Sequence, residues 1–348
     1  MKKVILSIFT MSLFIVSCTD DDDTISPSEP LGAYEDGIIV SAEGGPSSIS
    51  FISEDLTTSE NQIFYNVNNE TTGVYLQSLG FEDEKAYIVV QDGTITVVNR
   101  YTFEKLATIS TGLTLPRYIA FEDDKAYVSD WGDPIDATDD YIAVIDLNSN
   151  TVVSTIAVAE GPEQILEESD KLYVSHSGGY STNNIVSVIN TADNSVETIT
   201  VKDVPDEMAI NEEGDLVVLC QGGNSWNAIG ETTAAIVKID LSDNSVISTL
   251  EFPLGDHPGL MSYEDGVAYY ILNNGVYGLT DNATSLPTTS LFDINASYAY
   301  GLSVDDDQLF VTDASFTENS TLLIYDIATG TETNTFSVGV GASKIYFN

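Results

Sequence analysis

Three residues whose side chains can share a proton recur at nearly constant spacing. Asp130, His176 and Cys220 lie 46 and 44 residues apart, each ending a short apolar run. They have the make-up of an acid, base and nucleophile relay, which needs heavy atoms within about 2.6–3.2 Å of one another. Leu272, Val90 and Ala42 end other copies of the same run, so the column reads as a structural position. There is no Gly-rich phosphate loop, GxSxG or HExxH. Two histidines in the whole chain cannot form a three-histidine zinc site. Asp133, Asp136, Asp139 and Asp140 offer oxygen ligands without EF-hand spacing and read as a solvated loop. The expectation is a protein that is not an enzyme and carries no metal or cofactor.

The spacing that aligns those three residues runs through the chain. From residue 31 an acidic turn, a short apolar strand, a loop, a second strand, a polar turn and a third strand keep returning. Ile39, Tyr87, Tyr127, Tyr173, Val217, Tyr269 and Phe310 hold the same place in seven copies, separated by 48, 40, 46, 44, 52 and 41 residues. Val, Ile, Thr and Tyr alternating with polar residues, punctuated by Asn, Asp and Gly, give strands and turns. A four-strand repeat of 40–50 residues is the period of a propeller blade. The prediction is an all-β, seven-bladed β-propeller of four-stranded antiparallel blades over residues 31–348. The C-terminal segment Ser343–Asn348 matches the innermost strand of other copies. It is expected to complete blade 1, with Leu31–Tyr34 as the weaker option.

With strands named A to D from the axis outward, the AB and CD turns share one rim, and the BC and DA loops share the other. The AB turns hold 19 Asp or Glu residues. This excess exceeds what tight turns need, and it predicts an acidic rim. The BC/DA rim is richer in recognition groups. Expected there for ligand binding are Arg117, Trp131, His176, Tyr180, Asn224, Trp226, His257 and Phe316. Exposed aromatics on loops held by a rigid scaffold suit binding. The alternative is that both tryptophans merely pack their own loops.

The start of the chain carries different chemistry. Met1-Lys2-Lys3 is followed by an apolar stretch from Val4 to Val16, and then by Ser17-Cys18 and Asp20, Asp21, Asp22 and Asp23. This is the pattern of a secretory signal, and it is too short to span a bilayer, which takes about 20 residues. Ile15-Val16-Ser17-Cys18 resembles the bacterial lipobox, implying a signal peptide over 1–17 and lipidation of Cys18. The acidic tract resembles the signal that sends lipoproteins of the Bacteroidetes to the outer cell surface. Residues 18–30 read as a flexible acidic tether. The expected location is the outer membrane, facing outward, held by lipid alone.

Bulk charge excludes one class of partner. The chain has 11 basic and 55 acidic residues, a net of −44. Such a surface repels nucleic acid, whose binding depends on Lys and Arg meeting phosphates. With Cys18 lipidated, Cys220 has no disulfide partner, and it reads as a small buried hydrophobe.

The strings LYVSHSGG…NNIVSVIN…VETITV and AYVSDWGD…YIAVID…VVSTIAV resemble the YVTN, or YncE-like, β-propeller repeat. The first blades and GDLVVLCQGG look like a subgroup of Bacteroidetes surface lipoproteins. That resemblance implies capture of a corrinoid (cobalamin) for a TonB-dependent outer-membrane transporter. No contact motif carries over residue by residue. The sequence is also compatible with an adhesive or structural surface-layer propeller and with a propeller hydrolase.

Overall fold

Ile39, Tyr87, Tyr127, Tyr173, Val217, Tyr269 and Phe310 are each the third residue of a six-residue strand. That strand is second from the axis in each of seven four-stranded antiparallel sheets. The computed structural model describes residues 30–227 and 230–348. The predicted signal peptide, Cys18 and the Asp20–Asp23 tract lie outside the described residues. No helix among the described residues is long and apolar enough to cross a membrane.

The B strands are buried along nearly their whole length, rather than on alternate residues. Each blade is sandwiched between two neighbours, so both faces of its strands meet apolar surface. In strand B of blade 1, Gly37–Ala42, Ile39 packs toward blade 2, while Ile38 and Val40 pack toward blade 7. The hydrophobic core is accordingly divided into seven wedges, one per junction between blades. Each fully buried aliphatic side chain contributes about 1.5–3 kcal/mol relative to exposure. Cys220 lies in the wedge between blades 4 and 5, where burial pushes its thiol up to about 12.

Blade 1 is closed by the other end of the chain. Ala342–Phe347 pairs antiparallel with Gly37–Ala42, from Phe347↔Ile38 to Ala342↔Ala42. Leu31–Tyr34 does not serve as a strand. Tyr34 instead packs edge-on against Phe51 and Phe103, at 5.3 and 5.5 Å, and its N–H donates to Tyr101 at 2.9 Å. Tyr101 is in the CD turn of blade 2, so the propeller begins at the AB/CD rim.

Strand A starts with an irregularity in six of the seven blades. In blade 3, Pro116 pairs with Asp130 and Ile119 with Val128, so Arg117 and Tyr118 together face Ser129. This is a β-bulge, which bends the strand and re-aims side chains. Ser129 Oγ accepts the Tyr118 N–H at 3.0 Å and donates to Glu163 O of blade 4 at 2.6 Å. Ser175 does the same one blade on, accepting from Gln164 N at 3.1 Å and donating to Asp206 O at 2.9 Å.

Two blades depart from the repeat. The D strand of blade 6 is only Phe292–Asp293, after a segment rich in Thr, Ser and Pro. In blade 1 the D strand shrinks to Ser59–Glu60 and a short helix, Ile63–Asn68, follows. Ile63 and Phe64 of that helix fill the wedge between blades 1 and 2. Asn68 fixes the helix to blade 2, donating to Phe103 O at 2.8 Å and accepting Lys105 N at 2.9 Å.

Closure by Ala342–Phe347 yields a test. Deleting residues 342–348 leaves strand B of blade 1 as an unpaired apolar edge, which invites association. The expected result is a shift to larger species than the full-length protein in size-exclusion chromatography with light scattering, together with loss of the cooperative thermal transition. Tyr346→Phe keeps the strand but orphans the Leu79 N–H, which donates to Tyr346 Oη at 2.8 Å. It should cost about 1–3 kcal/mol in urea denaturation.

Candidate functional site

In the six bulged blades the second and third residues of strand A gather around the axis, near the BC/DA rim. The second residues are Ser343, Gln77, Arg117, Glu163, Asp206 and Tyr300, and the third include Lys344, Ser78, Tyr118, Gln164 and Glu207. Below them lies an axial cavity of about 180 Å³, lined by Ser78, Tyr118, Gln164, Glu207, Lys344 and Tyr346 among others. The mouth is thus polar and charged, and the cavity is also lined by Leu79, Ile119, Leu260, Leu302 and Ile345.

Its charges are interlocked. Arg117 Nε lies 3.1 and 3.0 Å from the two Glu163 carboxylate oxygens, and Nη2 bonds the same carboxylate. The guanidinium stacks 4.1 Å from the centre of the Trp131 ring. Burial works against the Arg117 charge, but Glu163 more than reverses this and holds its pKa above the ordinary value. Lys344 Nζ bonds Glu207 at 3.1 Å and sits 5.4 Å from the Tyr118 ring centre. Burial opposes this charge too, and Glu207 and Tyr118 outweigh it, so the ammonium is held charged. Gln164 donates to Glu207 and accepts Met208 N at 2.9 Å.

Two further acids serve the mouth. Asp206 accepts Gln221 Nε2 at 2.6 Å. Burial, then the nearby Glu207 and Glu163, raise Asp206 to about 7. Glu43 accepts the Tyr300 hydroxyl at 3.3 Å, and burial raises its pKa as well. Four carboxylates therefore share two cations, so one carboxylate holding its proton near neutrality is the expected compromise.

Aromatics stand on opposite sides of this throat. At blade 7, Tyr298 and Tyr300 stack at 5.5 Å, and Phe316 lies edge-on to Tyr300 at 5.5 Å. Tyr298 and Phe316 are 53% and 56% exposed. Across the ring at blades 3 and 4, Trp131 meets Tyr180 edge-on at 5.7 Å, and Tyr180 is 73% exposed. Trp226 of blade 5 is 81% exposed.

The residues expected from sequence are therefore distributed unevenly. Tyr180, Trp226 and Phe316 offer free aromatic surface on the rim. Trp131 is half-buried, donating from Nε1 to Pro162 O at 2.8 Å, so it packs the junction of blades 3 and 4 while supporting Arg117. Arg117 belongs to strand A and the throat, rather than to a DA loop. His257 is fixed by Gln221 O at 2.7 Å from Nδ1 and by Glu231 at 3.4 Å from Nε2. Asn224 is half-buried, with its carbonyl closing a turn to Asn227 N at 2.9 Å.

His176 requires a correction, because it is fully buried and presents nothing to the rim. Its Nδ1 faces Glu160 O at 3.2 Å and its Nε2 faces Ser187 Oγ at 2.8 Å, and burial lowers its pKa to about 4. It ends strand B, with its side chain turned into its own blade. Asp130, its counterpart in blade 3, accepts Thr114 N, Leu115 N and Gly132 N at 2.8–3.0 Å. Asp130, His176 and Cys220 thus have separate partners and form no relay.

In the acidic loop, Asp139 accepts Asp133 N at 3.0 Å, Asp136 accepts Thr138 Oγ1 at 2.6 Å and Asp140 accepts Gly161 N at 2.6 Å. Burial raises Asp140 to about 6. Among the described residues no group of three His, Cys, Asp or Glu is placed to hold a metal ion.

Sequence reasoning missed the axial residues Glu163, Gln164, Asp206, Glu207, Tyr300 and Lys344. A signal was present: Pro116-Arg-Tyr, Pro162-Glu-Gln, Pro205-Asp-Glu and Ala342-Ser-Lys each follow a Pro or Ala with polar or aromatic residues, before an apolar strand end.

Asp206 generates a prediction about pH. Its folded pKa of about 7 lies above the ordinary 3.8. Between those values the native state binds more protons than the unfolded chain, so stability falls as pH rises through this window and is level above it. Asp206→Asn removes that contribution. Urea denaturation at pH 5 and pH 8 should show wild type losing more stability between the two than the variant does. Equal losses would mean that Asp206 is not raised.

Residues 36–258 match a family described as "Domain of unknown function (DUF5074)". No curated protein matches the sequence. Among solved structures, the chain resembles the dihydro-heme d1 dehydrogenase NirN in complex with DHE at 12% identity and TM-score 0.61, over 92% of this chain and 77% of that one. It also resembles BamB from Moraxella catarrhalis at 12% identity and TM-score 0.54, over 91% and 89%. The computationally designed Ika8 protein matches at 13% identity and TM-score 0.58, over 91% and 92%. At these identities the likeness is one of fold.

Proposed function

The chain belongs to the DUF5074 family, and we propose that it is a non-catalytic binding protein whose BC/DA mouth captures a wide, planar ligand. The observation that carries this reading is the pair of exposed aromatic groups on opposite sides of a fixed, polar throat. Tyr180 with Trp131 on one side, and Tyr298 with Phe316 on the other, offer apolar surface to the flanks of a broad ring. Between them Arg117, Glu163, Asp206 and Lys344 offer hydrogen bonds to polar groups on its underside. These groups already hold one another in place, which limits the ordering cost of binding.

A corrinoid such as cobalamin is the proposed ligand. It is a wide ring edged by amides, which matches aromatic flanks around mixed donors and acceptors. The resemblance of the first blades to Bacteroidetes surface lipoproteins supports the same ligand. The lipobox-like start supports a lipid-anchored place on the outer membrane, and with it delivery to a TonB-dependent transporter. The acidic AB/CD rim, where Tyr34 enters the propeller, would then face the anchor.

Titrating lipid-free protein with cyanocobalamin in a calorimeter tests the ligand. Saturable heat is expected, and Trp226→Ala, at an exposed site, should weaken binding by about tenfold or about 1.4 kcal/mol without lowering the melting temperature. No heat at micromolar concentrations removes the corrinoid. In cells, Cys18→Ala should move the protein from the membrane fraction to the soluble fraction.

A further inference from the structure

Blade 1 carries a second cleft, away from the axis, and we propose that it binds a neutral sugar ring. The cleft has a volume of about 300 Å³, at the lower end of the range for small-ligand sites. It exists because blade 1 gives up most of its D strand for the helix Ile63–Asn68. The helix forms one wall, the BC loop and the start of strand C form another, and Thr71 and Thr72 close the third.

The lining chemistry selects the ligand. The floor is apolar, with Ile49 fully buried and Phe64 nearly so. Tyr65, 46% exposed, and Pro46 stand at the sides as flat apolar surfaces. The Gln62 amide and the Thr71 hydroxyl are exposed at the edge, and Gln62 does not spend its amide on capping the helix. Among the described residues no charged one lines the cleft, in a chain with 55 acidic residues. A charged ligand would enter a half-enclosed site with no partner for its charge. A purely apolar ligand would leave the amide and hydroxyl unused. A pyranose has an apolar C–H face for Tyr65 and equatorial hydroxyls for Gln62 and Thr71.

The walls are preformed. Ser47 bolts the BC loop of blade 1 to the segment entering blade 2. Its Oγ accepts Leu76 N at 3.0 Å and donates to Glu43 O at 3.2 Å, while its N–H donates to Gly73 O at 3.0 Å. Thr72 Oγ1 donates to Ser47 O at 3.0 Å. Asn68 holds the helix against blade 2. The cleft shares no lining residue with the axial cavity, so this inference stands apart from the ligand of the mouth.

Saturation-transfer NMR on the lipid-free protein, followed by titration, tests it with three probes: methyl β-D-glucopyranoside, methyl α-D-mannopyranoside and N-acetylglucosamine. At least one should bind saturably with a dissociation constant in the millimolar range, and Tyr65→Ala should weaken it by about tenfold. The variant should keep the wild-type melting temperature, because the ring is largely outside the core. Glucuronate should not bind, and cyanocobalamin should not compete. The proposal is overturned if none of the three glycosides saturates, if Tyr65→Ala leaves their affinity unchanged, or if benzyl alcohol occupies the cleft while the glycosides do not.

Discussion

The whole structure depends on side chains that bond one blade to the backbone of the next. Every junction has one. Tyr346 accepts from Leu79 between blades 1 and 2, and Ser78 donates to Arg117 O between 2 and 3. Ser129 and Ser175 serve the next two junctions. Tyr263 accepts from Glu212 N, Ser262 from Val304 N, and Ser320 from Ala342 N, completing the ring. Apolar wedges alone hold two sheets face to face but set their offset only weakly. A directional bond at each junction fixes the register between blades, and with it the geometry of the throat.

The same constraint explains why the throat can be charged. In six blades strand A is bulged, and its second and third residues gather at the mouth of the axis. There, both cations meet a carboxylate at hydrogen-bond distance, as Arg117–Glu163 and Lys344–Glu207. Pairs of this kind add little to stability, because desolvation offsets their attraction. Their value is placement. They hold donors and acceptors in a low-dielectric ring, so a ligand bound as proposed would meet partners that do not need to reorganise. The opposite rim works otherwise, since its acidic turns face solvent and repel polyanions.

The fold was legible because the repeat writes itself into every blade. The seven residues aligned by sequence occupy one strand position without exception, and the acidic turns mark the rims. The site was legible only in its exposed aromatics, such as Tyr180, Trp226 and Phe316, which loops present directly. Arg117 is expected from sequence only as a rim residue, because its neighbours Glu163 and Asp206 come from other blades and meet it only after the ring closes. His176 misled for the opposite reason. It precedes a glycine-rich loop in sequence, yet strand B turns its ring inward to Ser187. The helix Ile63–Asn68 is too short to show a period, and its stability comes from Ile63 and Phe64 in the wedge rather than from propensity.

We propose that the BC/DA mouth, and not the acidic rim, is the binding face. Hydrogen–deuterium exchange with and without cyanocobalamin tests it directly. Slower exchange is expected only at the starts of the A strands and in the loops carrying Trp131, Tyr180, Trp226, Tyr298 and Phe316. Protection on the AB turns with none at the mouth would contradict it.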